Sequence, residues 1–327
     1  FRRDLSDPKT VEDFVRVVQS PERLRLLLIL SVVDIRAVGP TTWNDWKRQL
    51  LRTLFDAAEE RLRLGHKQRG RHEQVEARQA QLAESLPWKA SANRRPAKRL
   101  PDSYWLAEPP EWQQANALQV AAAEAHFGDA EPSVVATPDT VSGMTRVSIF
   151  APDRPGLFYR MAAALSGAGA SIVDAPIPTT KDGMALDNLL VIDAQGRGYD
   201  DNGLRKRLAN AVDKALRTEA EPQQPPIDKL SRRVKTFRVA PRVLVSDKAS
   251  SRTTVVEINA RDRPGLLARL ALVIHAAGHQ LHSAHIATYG ERAVDVFYLT
   301  TANGKKLNEE EGASLRAALL TAAAAGG

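Results

Sequence analysis

Asp153-Arg154-Pro155-Gly156-Leu157 returns letter for letter as Asp262-Arg263-Pro264-Gly265-Leu266, 109 positions further along the chain. Around each copy the hydrophobic pattern is the same. A β-rich run precedes it (Thr145 to Phe150; Thr253 to Asn259), and a helical apolar stripe follows (Leu157, Met161, Leu165; Leu266, Leu270, Val273, Ile274). Gly169 and Gly278 keep the same offset and predict the end of that helix. A second strand is expected over 171–180 and 280–289, then a turn and a third over 184–193 and 293–301. Within the third strand Asp187 aligns with Asp295, an offset of 108, so the one deletion falls in the turn, where it costs least. A second helix follows in each copy, with Leu204, Leu208, Val212 and Leu216 as its stripe in the first and residues 309–324 in the second. The order strand, helix, strand, strand, helix, strand is the ferredoxin-like βαββαβ plan, twice.

The repeated turn admits two readings. A helix starting just after it offers unpaired N–H groups and a positive dipole end to an anion such as a carboxylate. Glycine lets a ligand approach the backbone, and Asp153 or Asp262 can accept a hydrogen bond from an ammonium group. Equally, Asp can cap the helix, Pro occupy its first turn and Gly relieve crowding, with no ligand involved.

A length of 327 residues and 43% hydrophobic content suit two or three globular domains. There is no cysteine, so disulfides and thiolate metal sites are excluded, which fits a reducing cytoplasm. The most apolar run, Leu26 to Val33, is too short to span a bilayer. The net charge of +7 is concentrated between Arg61 and Arg99, where eleven Lys/Arg face three Glu. That stretch lacks the interleaved aromatics of a stacking platform and any zinc or helix-turn-helix signature. It reads as a solvated helix and linker or a contact for an acidic neighbour, not as a nucleic-acid site.

Val11, Phe14, Val15 and Val18 mark an amphipathic helix ending near Ser20, and Ser20-Pro21 caps and starts another. This second helix, about 22–38, is apolar nearly all round and is expected to be buried in a larger helical domain. Asp34 lies within it, either paired with an arginine elsewhere or serving as a metal ligand with companions outside this chain. A helix with Trp43, Trp46, Leu50, Leu51 and Leu54 follows. From Arg61 the chain reads as a connector broken by Pro87, Pro96, Pro101, Pro109 and Pro110. One helix lies in its first part, another at about 111–127, and the aromatic cluster Tyr104-Trp105-Leu106 docks it onto a neighbour. Thr236 to Val245 reads as a strand that Pro241 confines to an edge or bulge.

With Asp-Arg-Pro-Gly-Leu at the first strand-to-helix turn, each repeat resembles an ACT domain, a family of small regulatory modules that commonly bind amino acids at the interface of paired copies. Joined to Leu30-Ser31-Val32-Val33-Asp34-Ile35-Arg36-Ala37-Val38-Gly39-Pro40, to Trp43, Trp46 and Lys47, and to Tyr104-Trp105-Leu106, the pair resembles the C-terminal part of the bacterial bifunctional PII uridylyltransferase/uridylyl-removing enzymes. The resemblance implies an α+β chain: residues 1–65 ending an HD-type hydrolase domain, 66–142 a basic helical connector, 143–248 and 249–327 the tandem ACT domains. It implies glutamine as effector, the PII signalling protein as partner, no nucleic acid and no membrane, self-association through the ACT pair, and Mg or Mn in the complete protein. Glutamine's charged ends would meet Asp153, Arg154, Gly156 and Leu157 in one turn and Asp262, Arg263, Gly265 and Leu266 in the other. Its amide would meet Asp174, Ser283 and His285 on the second strands. Asp34 would match the aspartate completing the HD metal site. The chain has no His-Asp dipeptide and no Gly-Ser turn followed by Asp-x-Asp, so the residues doing chemistry are expected to precede Phe1.

Overall fold

The computed structural model describes residues 8–38, 45–64, 69–87, 99–127, 131–140, 142–175, 177, 180, 182–218, 240–289 and 292–325. Gly39 to Trp43 and the loop carrying Pro222, Pro225 and Pro226 lie outside them. Two compact units divide the chain, one holding most of it up to Leu118, the other Gln119–Asp139 with Gly143–Gly327.

In the first unit, α1 (Pro8–Val18), α2 (Pro21–Val38) and α3 (Asp45–Leu64) close on a small core of Val18, Leu24 and Ala58. Ser20 starts α2 as expected, its hydroxyl accepting the Arg23 N–H at 3.2 Å. Burial differs from expectation. Leu26, Ile29, Leu30 and Val33 of α2 are 58–64% exposed, and its main helical neighbours among the described residues are α1 and α3. Beyond it, α4 (Arg69–Ser85) crosses α5 (Asp102–Ala107), which carries the aromatic cluster. Trp105 is 1% exposed, the Asn116 amide donates to the Tyr104 hydroxyl at 3.1 Å, and Gln113 donates to the Trp105 and Glu108 carbonyls. The cluster is therefore a docking point for α6 (Pro110–Phe127), which bonds the Tyr104 hydroxyl and the Trp105 carbonyl but leaves the buried Trp105 Nε1–H without a partner among the described residues.

The second unit contains two four-stranded antiparallel sheets of equal topology. In one, β1 (Ser133–Asp139), β2 (Met144–Pro152), α7 (Leu157–Gly167), β3 (Ser171–Asp174), β4 (Met184–Ile192) and α8 (Asn202–Arg217) follow in sequence, with strand order β1-β2-β4-β3. In the other, β5 (Arg242–Ser246), β6 (Thr254–Arg261), α9 (Leu266–Ala276), β7 (Gln280–Tyr289), β8 (Arg292–Thr300) and α10 (Glu309–Ala324) repeat it as β5-β6-β8-β7. The ferredoxin-like sheet is present with one change from the predicted order: its fourth strand enters before the motif, not after the second helix. β1 lies in the stretch read as connector, and β5 in the stretch read as the tail of the first repeat. A hairpin explains the choice, since Gly143 at φ 70 returns β1 directly onto β2, its N–H bonded to Asp139 O at 2.9 Å. Pro138 and Pro241 sit in or beside these edge strands, where a missing N–H is tolerated.

The repeat extends to tethers that the letters alone do not announce. Thr145 and Thr254, both fully buried, each accept a backbone N–H from the segment leading into the second helix, from Tyr199 at 2.8 Å and Leu307 at 2.9 Å. Gly169 and Gly278 end α7 and α9 with φ of 83° and 74°. The two sheets meet edge to edge through β3 and β7, where Ala175 bridges Ala284 in antiparallel fashion. These alanines are equivalent residues of the two repeats, so a local twofold axis passes between them. On the helical face α7 packs against α9, and one continuous core runs through both modules.

Candidate functional site

The Pro-Gly of each motif builds a type II turn. Leu157 N–H bonds Arg154 O at 3.1 Å and Leu266 N–H bonds Arg263 O at 3.2 Å, with Gly156 at φ 82, ψ 4 and Gly265 at φ 77, ψ −2. Glycine, not aspartate, is thus the residue that caps each helix, and no side chain caps either one. The Leu157 and Leu266 N–H groups are spent on the turn itself. Arg154 and Arg263 reach back to the last turn of the second helix of their own module. Arg154 donates to Leu216 O, and Arg263 to Ala322 O at 2.9 Å and Ala323 O at 3.2 Å. Both arginines therefore satisfy helix C-terminal carbonyls and oppose the helix dipole. Arg263→Ala should cost about 1–3 kcal/mol in a denaturant titration, and lysine, without the fork, should recover only part.

Between the modules lies a cavity of about 280 Å³, lined by Asp153 to Tyr159 of the first turn and helix, Asp187 of β4, and Ile274, His275, His279, Gln280, Leu281 and His282 of the second module. Its volume is near the lower end for small-molecule sites. Asp153, Arg154, Gly156 and Leu157 all line it as the sequence reading placed them. Close packing makes the two modules one wall: an ideal Cβ on Gly156 would lie 2.9 Å from His275 Cε1, and the His275 ring stacks on Tyr159 with centroids 6.2 Å apart.

Asp174, Ser283 and His285 are elsewhere. Strand pairing sets Asp174 opposite Leu190, Ser283 opposite Tyr298 and His285 opposite Val296, on the sheet face away from the helices, whereas the cavity is on the helical face. There Asp174 Oδ1 lies 3.9 Å from His285 Nδ1 across the module boundary, Ser283 Oγ lies 3.4 Å from His285 Nε2, and His285 meets Tyr298 edge-on. They latch the two sheets together. Asp262 and Gly265 occupy the twofold-related turn, where the Asp262 carboxyl is pushed upward by desolvation against the lowering pull of the Arg263 N–H. The wall facing that turn is chemically different: His275, His279 and His282 have Ser166, Ala170 and Val173 as their counterparts. Asp34 is exposed on α2, and among the described residues no three His, Asp or Glu side chains are grouped to hold a metal ion.

The residue that sequence reasoning left out of the site is Asp187. It is fully buried opposite Ile149, and neither carboxylate oxygen has a hydrogen-bond partner. Its signal is an aspartate repeated at Asp295 inside two mainly apolar strands. Burial, and secondarily the Asp153 charge, raise its pKa well above the ordinary carboxylate range. Desolvation lowers His279 and His282, countered in part by Glu311 and Asp153 respectively. Above the unfolded Asp value of about 3.9 the unfolded chain has lost a proton that the folded chain keeps, so stability falls as pH rises through that window, by at most about 1.4 kcal/mol per unit. Asp187→Asn should remove this component from the pH profile of denaturant midpoints.

No family model matches the chain. Curated relatives do, along nearly all of it. It is 46% identical over 319 residues to a bifunctional uridylyltransferase/uridylyl-removing enzyme of Novosphingobium aromaticivorans, covering 95% of this chain and 34% of the relative. The chain is homologous to that enzyme family. An Erythrobacter litoralis enzyme of the same name is 46% identical over 98% of this chain, and one from Zymomonas mobilis 41% identical over 95%. The chain spans about a third of the length of these uridylyltransferase/uridylyl-removing relatives, their C-terminal part. No helix among the described residues is long and apolar enough to cross a membrane.

Proposed function

We propose that this chain is the glutamine-responsive regulatory region of a bifunctional PII uridylyltransferase/uridylyl-removing enzyme, with its tandem modules acting as an ACT pair. The observation that carries the reading is the cavity between the first motif turn and α9–β7, a metabolite-sized space whose walls come from both modules. A ligand held there bridges the modules, so binding and module packing are linked in free energy. Catalysis on the PII protein, in the cytoplasm and with Mg or Mn, is assigned to the rest of the family protein. The exposed apolar face of α2 is the surface on which that remainder would pack, as the end of an HD-type domain.

A second reading has its own support: Arg154, Arg263, Asp174 and His285 all perform structural tasks, as a ligand-free pair requires. Ligand-linked melting separates the two. At a hundred times its dissociation constant, glutamine should stabilise the second unit by about 2.7 kcal/mol per site. Glutamate should stabilise far less, its side-chain carboxylate being desolvated without a partner. A melting curve that saturating glutamine leaves unmoved favours the structural pair.

A further inference from the structure

Asp187 is costly as it stands. A carboxyl at zero exposure with two unpartnered oxygens gives up its hydration for nothing within the protein. It is among the residues lining the cavity, so an unpartnered carboxyl adjoins a space a ligand can enter. The remaining lining sharpens the chemistry. Arg154, the cation of the first turn, is bonded away to Leu216 O on α8. His279 and His282 are shifted toward the neutral form. β2 sets Ile149 opposite Asp187 and leads to Asp153 at the mouth, α7 brings Tyr159, and α9 brings His275. Two carboxyls, Asp153 and Asp187, thus line the cavity, while the Arg154 guanidinium beside them is turned to the Leu216 carbonyl.

We propose that Asp187 is the ammonium-recognition residue of this cavity, receiving a primary ammonium group from the ligand while Asp153 completes the pair of acceptors at the mouth. The inference rests on the reading of the cavity as an amino-acid site. In the empty protein burial favours the protonated form of the carboxyl. An entering R–NH₃⁺ group replaces that proton as the compensating charge, and the proton leaves to solvent, so charge balances without any other group titrating. Binding therefore tightens as pH rises and releases up to one proton. The twofold-related site faces Ser166, Ala170 and Val173 instead of histidines and is not its chemical equal.

The test uses the whole chain and two probes, glutamine and its deamino analogue glutaramate, which keeps the carboxylate and the amide but has hydrogen in place of the ammonium. Calorimetry in buffers of different ionisation enthalpy counts the protons. Glutamine is expected to bind with proton release, glutaramate at least about 50-fold more weakly, and Asp187→Asn to lose about the same factor for glutamine together with the buffer-dependent heat. Equal binding of the two probes, or Asp187→Asn within threefold of the wild-type affinity, overturns the proposal. Should the variant fail to fold, the glutaramate comparison on the wild-type chain decides alone. If glutamine does not bind the wild type, the glutamine assignment fails by itself. Another of the twenty amino acids binding in an Asp187-dependent way then upholds the ammonium site, and none of them binding overturns it.

Discussion

Gly156→Val is expected to lower stability by about 2–4 kcal/mol and to abolish the ligand response of the cavity. Two independent costs add. A β-branched residue at φ 82 carries backbone strain of about 1–3 kcal/mol, and its Cβ would meet the His275 ring at 2.9–3.0 Å. His275 is stacked on Tyr159 and belongs to the opposite module, so the clash is transmitted to the interface itself. For a unit of this size the melting temperature should fall by roughly 5–15 °C. A matched pair separates the two costs. Gly278→Ala adds a Cβ at φ 74 into open space, whereas Gly156→Ala adds one at φ 82 against the imidazole. The second should be clearly more destabilising; equal shifts would mean that strain, not close approach, governs both.

A chain of residues 250–327 alone is expected to show no cooperative melting. It lacks β5, whose pairing of Arg242–Ser246 with Asn259–Val255 supplies the outer edge of the second sheet. It loses Val243, buried at 2% exposure, and the bond from Arg316 Nε to Val243 O that ties α10 to that edge. It also exposes β7 where Ala284 met Ala175. An unpaired, mainly apolar sheet edge on both sides leaves backbone groups unsatisfied and invites aggregation. Extending the chain back to residue 240 should restore partial order, seen by circular dichroism on heating. Cooperative melting of 250–327 without β5 would contradict the account of how this sheet is completed.

The repeated pentapeptide made most of the second unit legible, because Pro-Gly between an apolar strand and an apolar helical stripe has few conformational solutions. The end glycines Gly169 and Gly278 fell where local chain physics puts them. Strand pairing was less legible. Nothing in residues 133–139 distinguishes an edge strand from a connector until Gly143 folds it onto β2, and that choice is made by tertiary contact. Side-chain direction decided the site. Asp174, Ser283 and His285 lie on the right strands but the wrong face, and the bulge between Leu281 and Ser283 shifts the alternation that a simple count would use. Asp187 was visible as an aligned aspartate, yet its meaning depends on burial without a partner, which a sequence does not display. The arginines of the motif were likewise assigned to a ligand, while the carbonyls they satisfy are some 60 residues away along the chain.

Amide NMR of the isotope-labelled second unit, followed through a glutamine titration, tests the central claim most directly. The account predicts saturable shifts concentrated at Asp153 to Tyr159, Asp187 and His275 to His282, with the Asp174, Ser283 and His285 latch on the opposite sheet face far less affected. Saturable shifts confined to that opposite face, or none at any glutamine concentration in a folded chain, would contradict it.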